Sequence, residues 1–284
     1  MDHPKQCEET PLSSWPFDLF EATAADGTPI SYMRTDAPGS ARVVLVHSLA
    51  MDHGFWRPVA EALAPSTSVI AVDCRGHGRS GKPAGPYSVE LFAQDVASVL
   101  DHAGWDRSAV AGASMGGCVA LAFAGYHPER CSGLGLFDTT AWYGPDSAAQ
   151  WQVRADKAAG EGLESMVAFQ QTRWFGDAFR AANPALVEDC VGTFLRNDVA
   201  AYVAACGMMG ACDLRAVLPD IQVPCAVVVG EEDYATPPSM AEALHHGIAG
   251  STLEIISGGR HFTPLEQPER IAAAIAGLSR GAAA

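Results

Sequence analysis

Ser114, Asp233 and His261 are residue types that can carry out nucleophilic acyl transfer, and they stand in a workable order along the chain. A serine hydroxyl is a weak nucleophile unless a base within hydrogen-bond reach takes its proton and a third group orients that base. Ser114 lies in Val110-Ala-Gly-Ala-Ser-Met-Gly-Gly117, where an apolar strand-like run ends and a small-residue helical pattern begins. A strand turning that sharply into a helix holds its serine in strained backbone geometry with the hydroxyl standing clear of the sheet. Gly112 and Gly116 flank it because a side chain at either position would collide across the turn.

Such a Gly-x-Ser-x-Gly turn predicts an acid and then a histidine further along. The acid is expected at Asp233, in Gly230-Glu-Glu-Asp233, directly after the strand-like run Cys225–Val229. The histidine is expected at His261, in Gly258-Gly-Arg-His261, after the run Thr252–Ile256. Parallel strands place both loops on the edge where Ser114 sits. Asp138, ending the strand after the serine turn, is the alternative acid. The charge that develops on a substrate oxygen calls for backbone donors, expected at Met115 and at Leu49 in the loop after His47.

The elements that must position these groups follow from apolar periodicity. Phe17–Thr23 and Ile30–Arg34 around Asp26-Gly27 read as a β-hairpin, Arg42–His47 and Val69–Val72 as buried strands, and Gly133–Phe137 as another. Trp56, Val59, Ala60 and Leu63 share one helical face, and Ser88 caps a helix carrying Phe92, Val96, Val99 and Leu100. Alternating strands and helices predict an α/β fold with a mostly parallel sheet flanked by helices. From Thr140 to Asp213 helical patterns run without strands, so residues 140–213 are expected to form a helical cap on a core of 1–139 and 214–284.

Composition narrows the partners. With 284 residues, 48% hydrophobic content and a net charge of −15, the chain can bury a large core and would be repelled by nucleic acid or an anionic membrane. The uncharged run Ala109–His127 contains the serine turn and reads as strand plus buried helix rather than a membrane span. The first residues lack the layout of a signal peptide, and the eight cysteines form no Cys-x-x-Cys pair. Reduced buried thiols, a cytoplasmic location and a small-molecule substrate are therefore expected. The sequence leaves the oligomeric state open. Asp73-Cys-Arg-Gly-His-Gly-Arg-Ser80 lacks the glycine spacing and the lysine of a phosphate loop, and reads as a tight turn with Arg75 in an ion pair. No dinucleotide fingerprint or zinc-ligand spacing occurs, so no cofactor and no metal are expected. His77 and His127 read as structural, and His47 as a brace for the loop beside the site.

Several segments together resemble a known family. His47-Ser-Leu-Ala, Asp73-Cys-Arg-Gly-His-Gly-Arg-Ser, Ala113-Ser-Met-Gly-Gly, Trp174-Phe, Ala201-Tyr-Val-Ala-Ala-Cys, Cys212-Asp-Leu-Arg215, Tyr234-Ala-Thr-Pro-Pro and Leu265-Glu-Gln-Pro are similar to the α/β-hydrolase superfamily. Within it, the chain most resembles the 3-oxoadipate enol-lactonases of aromatic-compound degradation. The resemblance implies cofactor-free opening of an unsaturated lactone that bears a carboxylate. Ser114 would attack, His261 would take its proton, and Asp233 would hold the imidazole. The chain departs from that group at Gly258-Gly-Arg260-His261-Phe262-Thr263, where the enol-lactonases carry small residues and His-Leu-Ser. Arg260 is thus a candidate for a substrate carboxylate, or else pairs with a surface acid. Trp142, Tyr143, Trp151, Arg154 and Trp174 are further candidates for substrate contact, although aromatic residues at helical spacing also build cores. Arg173 is expected to brace the cap. A broader carboxylesterase, a carbon–carbon bond hydrolase and a non-enzymatic ligand receptor on the same fold are the competing readings.

Overall fold

A computed structural model describes residues 18–39 and 41–280. Cys7, Phe17 and the alanine-rich tail from Gly281 lie outside them. Eight strands form one sheet: β1 (Asp18–Thr23), β2 (Pro29–Thr35), β3 (Arg42–Val46), β4 (Ser68–Val72), β5 (Ser108–Ala113), β6 (Cys131–Phe137), β7 (Cys225–Gly230) and β8 (Thr252–Ile256). Their spatial order is β1-β2-β4-β3-β5-β6-β7-β8. The hairpin β1–β2 is antiparallel and joins β4 antiparallel, while β4, β3 and β5 to β8 pair in parallel. The central strands read as unbroken apolar runs because helices cover both faces, so alternate residues have no solvent side. All six residues of β5 and all six of β7 are buried.

The helices fall into two layers. On one face α2 (Val89–Ala103) packs against α3 (Met115–Tyr126); on the other α1 (Arg57–Leu63) meets α11 (Pro268–Arg280). Ser88 caps α2 as its side-chain oxygen accepts from the Leu91 N–H at 3.2 Å. In α3 every residue from Met115 to Ala124 is buried, as expected of a helix apolar all round. The uncharged run 109–127 thus divides between β5 and α3, and no helix among the described residues is long and apolar enough to cross a membrane. Five helices lie between β6 and β7: α4 (Ser147–Glu161), α5 (Val167–Trp174), α6 (Asp177–Ala182), α7 (Pro184–Leu195) and α8 (Val199–Ala211). Beyond β7 come α9 (Pro238–Gly247) and, after β8, the single-turn α10 (Thr263–Glu266).

The turn after β4 is tied down by charge. Arg75 is 1% exposed and grips both Asp95 oxygens at 2.6 Å, reaching Asp26 in the hairpin turn at 2.8 Å. One guanidinium thereby fastens the β1–β2 turn and α2 to the sheet's working edge. Removing one partner from such a buried pair costs roughly 3–5 kcal/mol. The seven described cysteines are all buried and none is bridged.

Candidate active site

The serine turn has the strain that its sequence implies. Ser114 sits at φ 53°, ψ −117°, a region that costs a residue with a side chain about 1–3 kcal/mol. Neighbours hold it there: its N–H donates to the Phe137 carbonyl at 2.9 Å, and its carbonyl accepts from the Thr139 hydroxyl at 2.7 Å. A Cβ on Gly112 would strike the Gly116 carbonyl, and one on Gly116 would strike the Val46 carbonyl. Both collisions are with backbone, which cannot swing away. Only glycine at the two positions lets β5, the start of α3 and the end of β3 approach this closely.

The loops after β7 and β8 bring the acid and the histidine to that serine. The Ser114 hydroxyl lies 3.0 Å from Nε2 of His261, and Asp233 Oδ2 lies 2.7 Å from Nδ1. A carboxylate on Nδ1 keeps the proton there and leaves Nε2 free to accept from the serine. Asp233 is 2% exposed, and burial alone would raise its pKa. The imidazole of His261, the Thr236 hydroxyl at 2.8 Å and the Thr236 N–H at 3.0 Å outweigh burial and hold the carboxyl below its ordinary range. The sequence offers Thr236 only within the Tyr234-Ala-Thr-Pro-Pro segment that follows the acid, not as a donor to Asp233. Its signal is the Asp-x-x-Thr spacing at a loop that ends in Pro237.

Asp138 is placed elsewhere. It accepts from the Thr263 N–H at 2.9 Å, the Thr263 hydroxyl at 2.7 Å and the Gly230 N–H at 3.2 Å, joining the ends of β6, β7 and α10. Burial, together with the neighbouring Asp233 charge, pushes its carboxyl well above the usual carboxylate range.

On the opposite side of the serine, the loop after β3 passes close over α3, with the Val46 and His47 carbonyls against Gly116. Neither the Leu49 nor the Met115 N–H donates to another described residue. His47 braces this loop: its Nδ1 donates to the Ser48 carbonyl at 2.8 Å while Nε2 accepts from the Cys74 N–H at 3.0 Å. Burial holds His47 below its ordinary pKa, in keeping with that neutral tautomer. Behind the loop lies a separate hollow of about 310 Å³ lined by Met51, Asp52, His53, Asp73, Arg79 and Arg196 among others. Neither Ser114 nor His261 reaches it.

The candidates between β6 and β7 divide in two. Tyr143 packs edge-on against Trp151 at 5.4 Å; Arg154 lies over Trp151 at 5.4 Å and donates to the Tyr202 hydroxyl at 2.6 Å. Arg173 is partly buried beside this group, and among the described residues it has no acidic ion-pair partner. Burial and then the neighbouring Arg154 push its pKa down to about 10, so it remains a cation at neutral pH. Trp142 stands apart, with Arg215 stacked 3.7 Å over its ring, in a second hollow with Leu218 and Met240. Trp174 is 2% exposed and stacks on Phe262 at 5.2 Å, backing the residue next to His261. Arg260 is engaged outward: it donates to Glu232 at 2.9 Å and the Thr172 carbonyl at 2.8 Å, and lies over Tyr234.

Known proteins match this arrangement over nearly its whole length. A 3-oxoadipate enol-lactonase of Acinetobacter baylyi is 28% identical over 253 residues, 89% of this chain and 94% of the relative. The crystal structure of an enol-lactonase from Burkholderia xenovorans superposes with a TM-score of 0.87 at 30% identity, covering 92% of this chain and 99% of that one. A thermophilic esterase from Thermogutta terrifontis with malate bound gives 0.86 at 28% identity, over 93% and 99% of the two chains. The family model for the alpha/beta hydrolase fold matches residues 41–268, and on this breadth of agreement the chain belongs to the alpha/beta hydrolases.

Proposed function

We propose that this hydrolase opens a small carboxylated lactone or ester, in the manner of a 3-oxoadipate enol-lactonase, through a Ser114–His261–Asp233 triad. The observation that carries the reading is the unbroken hydrogen-bond path from Asp233 through both imidazole nitrogens to the Ser114 hydroxyl. Ser114 Oγ attacks the acyl carbon as its proton passes to His261 Nε2, and Asp233 stabilises the imidazolium that forms. The oxygen that becomes negative is received by the N–H groups of Leu49 and Met115. Losing one such donor costs about 3 kcal/mol of transition-state stabilisation. Collapse breaks the ring C–O bond and expels an enolate, which takes the proton held on His261 and ends as a ketone, leaving the imidazole neutral again. Water, deprotonated by His261, then attacks the acyl-enzyme and frees Ser114 together with the carboxylic acid.

Residues 140–213 serve in this reading as a cap over the core of 1–139 and 214–284. Arg154 and Arg173 are two of its cations and lie close to one another. Two neighbouring cations, neither with an acidic ion-pair partner among the described residues, favour an anionic ligand, and Arg–carboxylate pairing is strong where water is excluded. The likeness to enol-lactonases supports a lactone; the likeness to a malate-bound esterase supports a carboxylated ester as the second reading. Purified protein should turn over muconolactone-derived enol-lactone faster than neutral aryl esters. Hydrolysis of neutral esters alone would shift the assignment to a general carboxylesterase. Acyl-enzyme at Ser114, trapped at low pH and detected as a mass increment, would separate turnover from mere binding.

A further inference from the structure

We infer that Asn197, in the connection between α7 and α8, is a positioning residue that sets the oxyanion donor at Leu49; the inference rests on the hydrolase reading above. The Ser48–Met51 segment is a tight turn closed by the Met51 N–H on the Ser48 carbonyl at 3.1 Å. Leu49 and Ala50 occupy its two central positions, and Ala50 has φ 61°. That position of a turn favours glycine, because in the left-handed region a Cβ crowds the following carbonyl. Ala50 nevertheless holds it, fully buried. Something outside the turn must offset the strain.

Asn197 supplies the constraint. Its Nδ2 donates to the Ala50 carbonyl at 2.8 Å. The same amide faces the Thr193 and Phe194 carbonyls at 3.0 and 3.1 Å, so the end of α7 holds it in place. On its other side Asp198 caps α8, accepting from the Ala201 N–H at 2.8 Å. Asn197 is thus a short peg between two fixed helix ends, and its tip rests on the loop after β3. His47 holds the Ser48 carbonyl from the core side. Relaxing Ala50 out of the left-handed region would rotate the Leu49–Ala50 peptide and shift the adjoining Ser48–Leu49 peptide, whose N–H is the oxyanion donor. The oxyanion site is therefore complete only when the α7–α8 connection is seated on the core. A segment read as a substrate cover also completes the electrostatic machinery beneath it.

The decisive experiment pairs Asn197→Ala with Ala50→Gly. Glycine accepts the left-handed backbone without help, so it should restore what the peg provided. On an activated aryl ester, Asn197→Ala should lower kcat about 10- to 100-fold with KM changed less than about threefold, as loss of a transition-state contact requires. Labelling of Ser114 by an aryl phosphonate should slow in parallel, whereas inhibition by a simple carboxylic acid should not change. The double variant should recover at least about tenfold in kcat. Hydrogen exchange of the 48–51 backbone should speed up in Asn197→Ala and return in the double variant, a readout that needs no turnover. Wild-type kcat in Asn197→Ala, or a loss that Ala50→Gly does not rescue, would overturn the inference. A wild-type protein inert to both ester and phosphonate would instead overturn the hydrolase reading, leaving the exchange result to decide the role of the peg.

Discussion

Asp138 and Asp233 end neighbouring parallel strands, yet they face different partners: Asp233 meets the imidazole of His261, and Asp138 turns to Thr263 and Gly230. The difference extends to their charge. Asp233 is held ionised by the groups that donate to it, whereas burial and the adjacent carboxylate raise Asp138. Two buried carboxylates this close favour having one of them protonated, and the imidazole beside Asp233 keeps the charge there.

Asp233→Asn should therefore lower kcat by about four orders of magnitude with little change in KM, because the amide stabilises the wrong imidazole tautomer. Asp138→Asn should cost about 1–3 kcal/mol of stability through its buried bonds while keeping kcat within about tenfold. Steady-state kinetics and urea melts on both variants check the pair; the opposite ranking in kcat would move the acid to Asp138.

Replacing the proposed nucleophile separates chemistry from strain. Ser114→Ala should lose turnover and phosphonate labelling while keeping the fold. Ser114→Gly should be equally inactive but about 1 kcal/mol more stable than the alanine variant, since glycine tolerates the backbone at φ 53°. Thermal melts of the two variants make the comparison, and equal stabilities would deny that the serine turn stores strain.

The arginines predict a split between substrates. Arg154→Ala and Arg173→Ala should each raise KM for a carboxylated ester about tenfold or more, and for its neutral analogue by less than about threefold. Arg260→Ala should affect both substrates alike, because its guanidinium already pairs with Glu232. A selective loss in Arg260→Ala would place the carboxylate beside the base instead.

His77 gives a pH test of stability. It is fully buried, its Nδ1 donates to the Arg75 carbonyl at 3.0 Å, and burial pushes its pKa down to about 3. A base with a depressed folded-state pKa favours folding above its unfolded value near 6.5, and that advantage is lost as pH falls towards 3. Over that window the wild type should lose ~1.4 kcal/mol per pH unit relative to His77→Asn. Urea unfolding at several pH values measures the difference in slope; parallel curves would show that His77 protonates freely.

What was legible in the chain followed from local physics. The strands announce themselves because buried parallel strands leave no polar face, and the serine turn because backbone collisions admit only glycine at 112 and 116. That Ser114, Asp233 and His261 would meet at one edge of the sheet was legible because each follows a recognisable strand. Contacts made across the fold left no such mark. That Arg260 turns to Glu232, that Trp174 stacks behind Phe262, and that Arg173 has no acidic ion-pair partner among the described residues depend on chain segments far apart in sequence. Ala50 is the hardest case, since its backbone conformation is one that the sequence would assign to glycine.

The stack of Trp174 on Phe262 is accompanied by a backbone bond, the Phe262 N–H donating to the Trp174 carbonyl at 3.0 Å, and Arg260 reaches the neighbouring Thr172 carbonyl. The segment that carries His261 is thus fastened to the end of α5. The position of His261 is therefore tied to that of α5, so whatever displaces one displaces the other. The 3.0 Å between His261 and Ser114 is thereby set in part by a helix far from both in sequence.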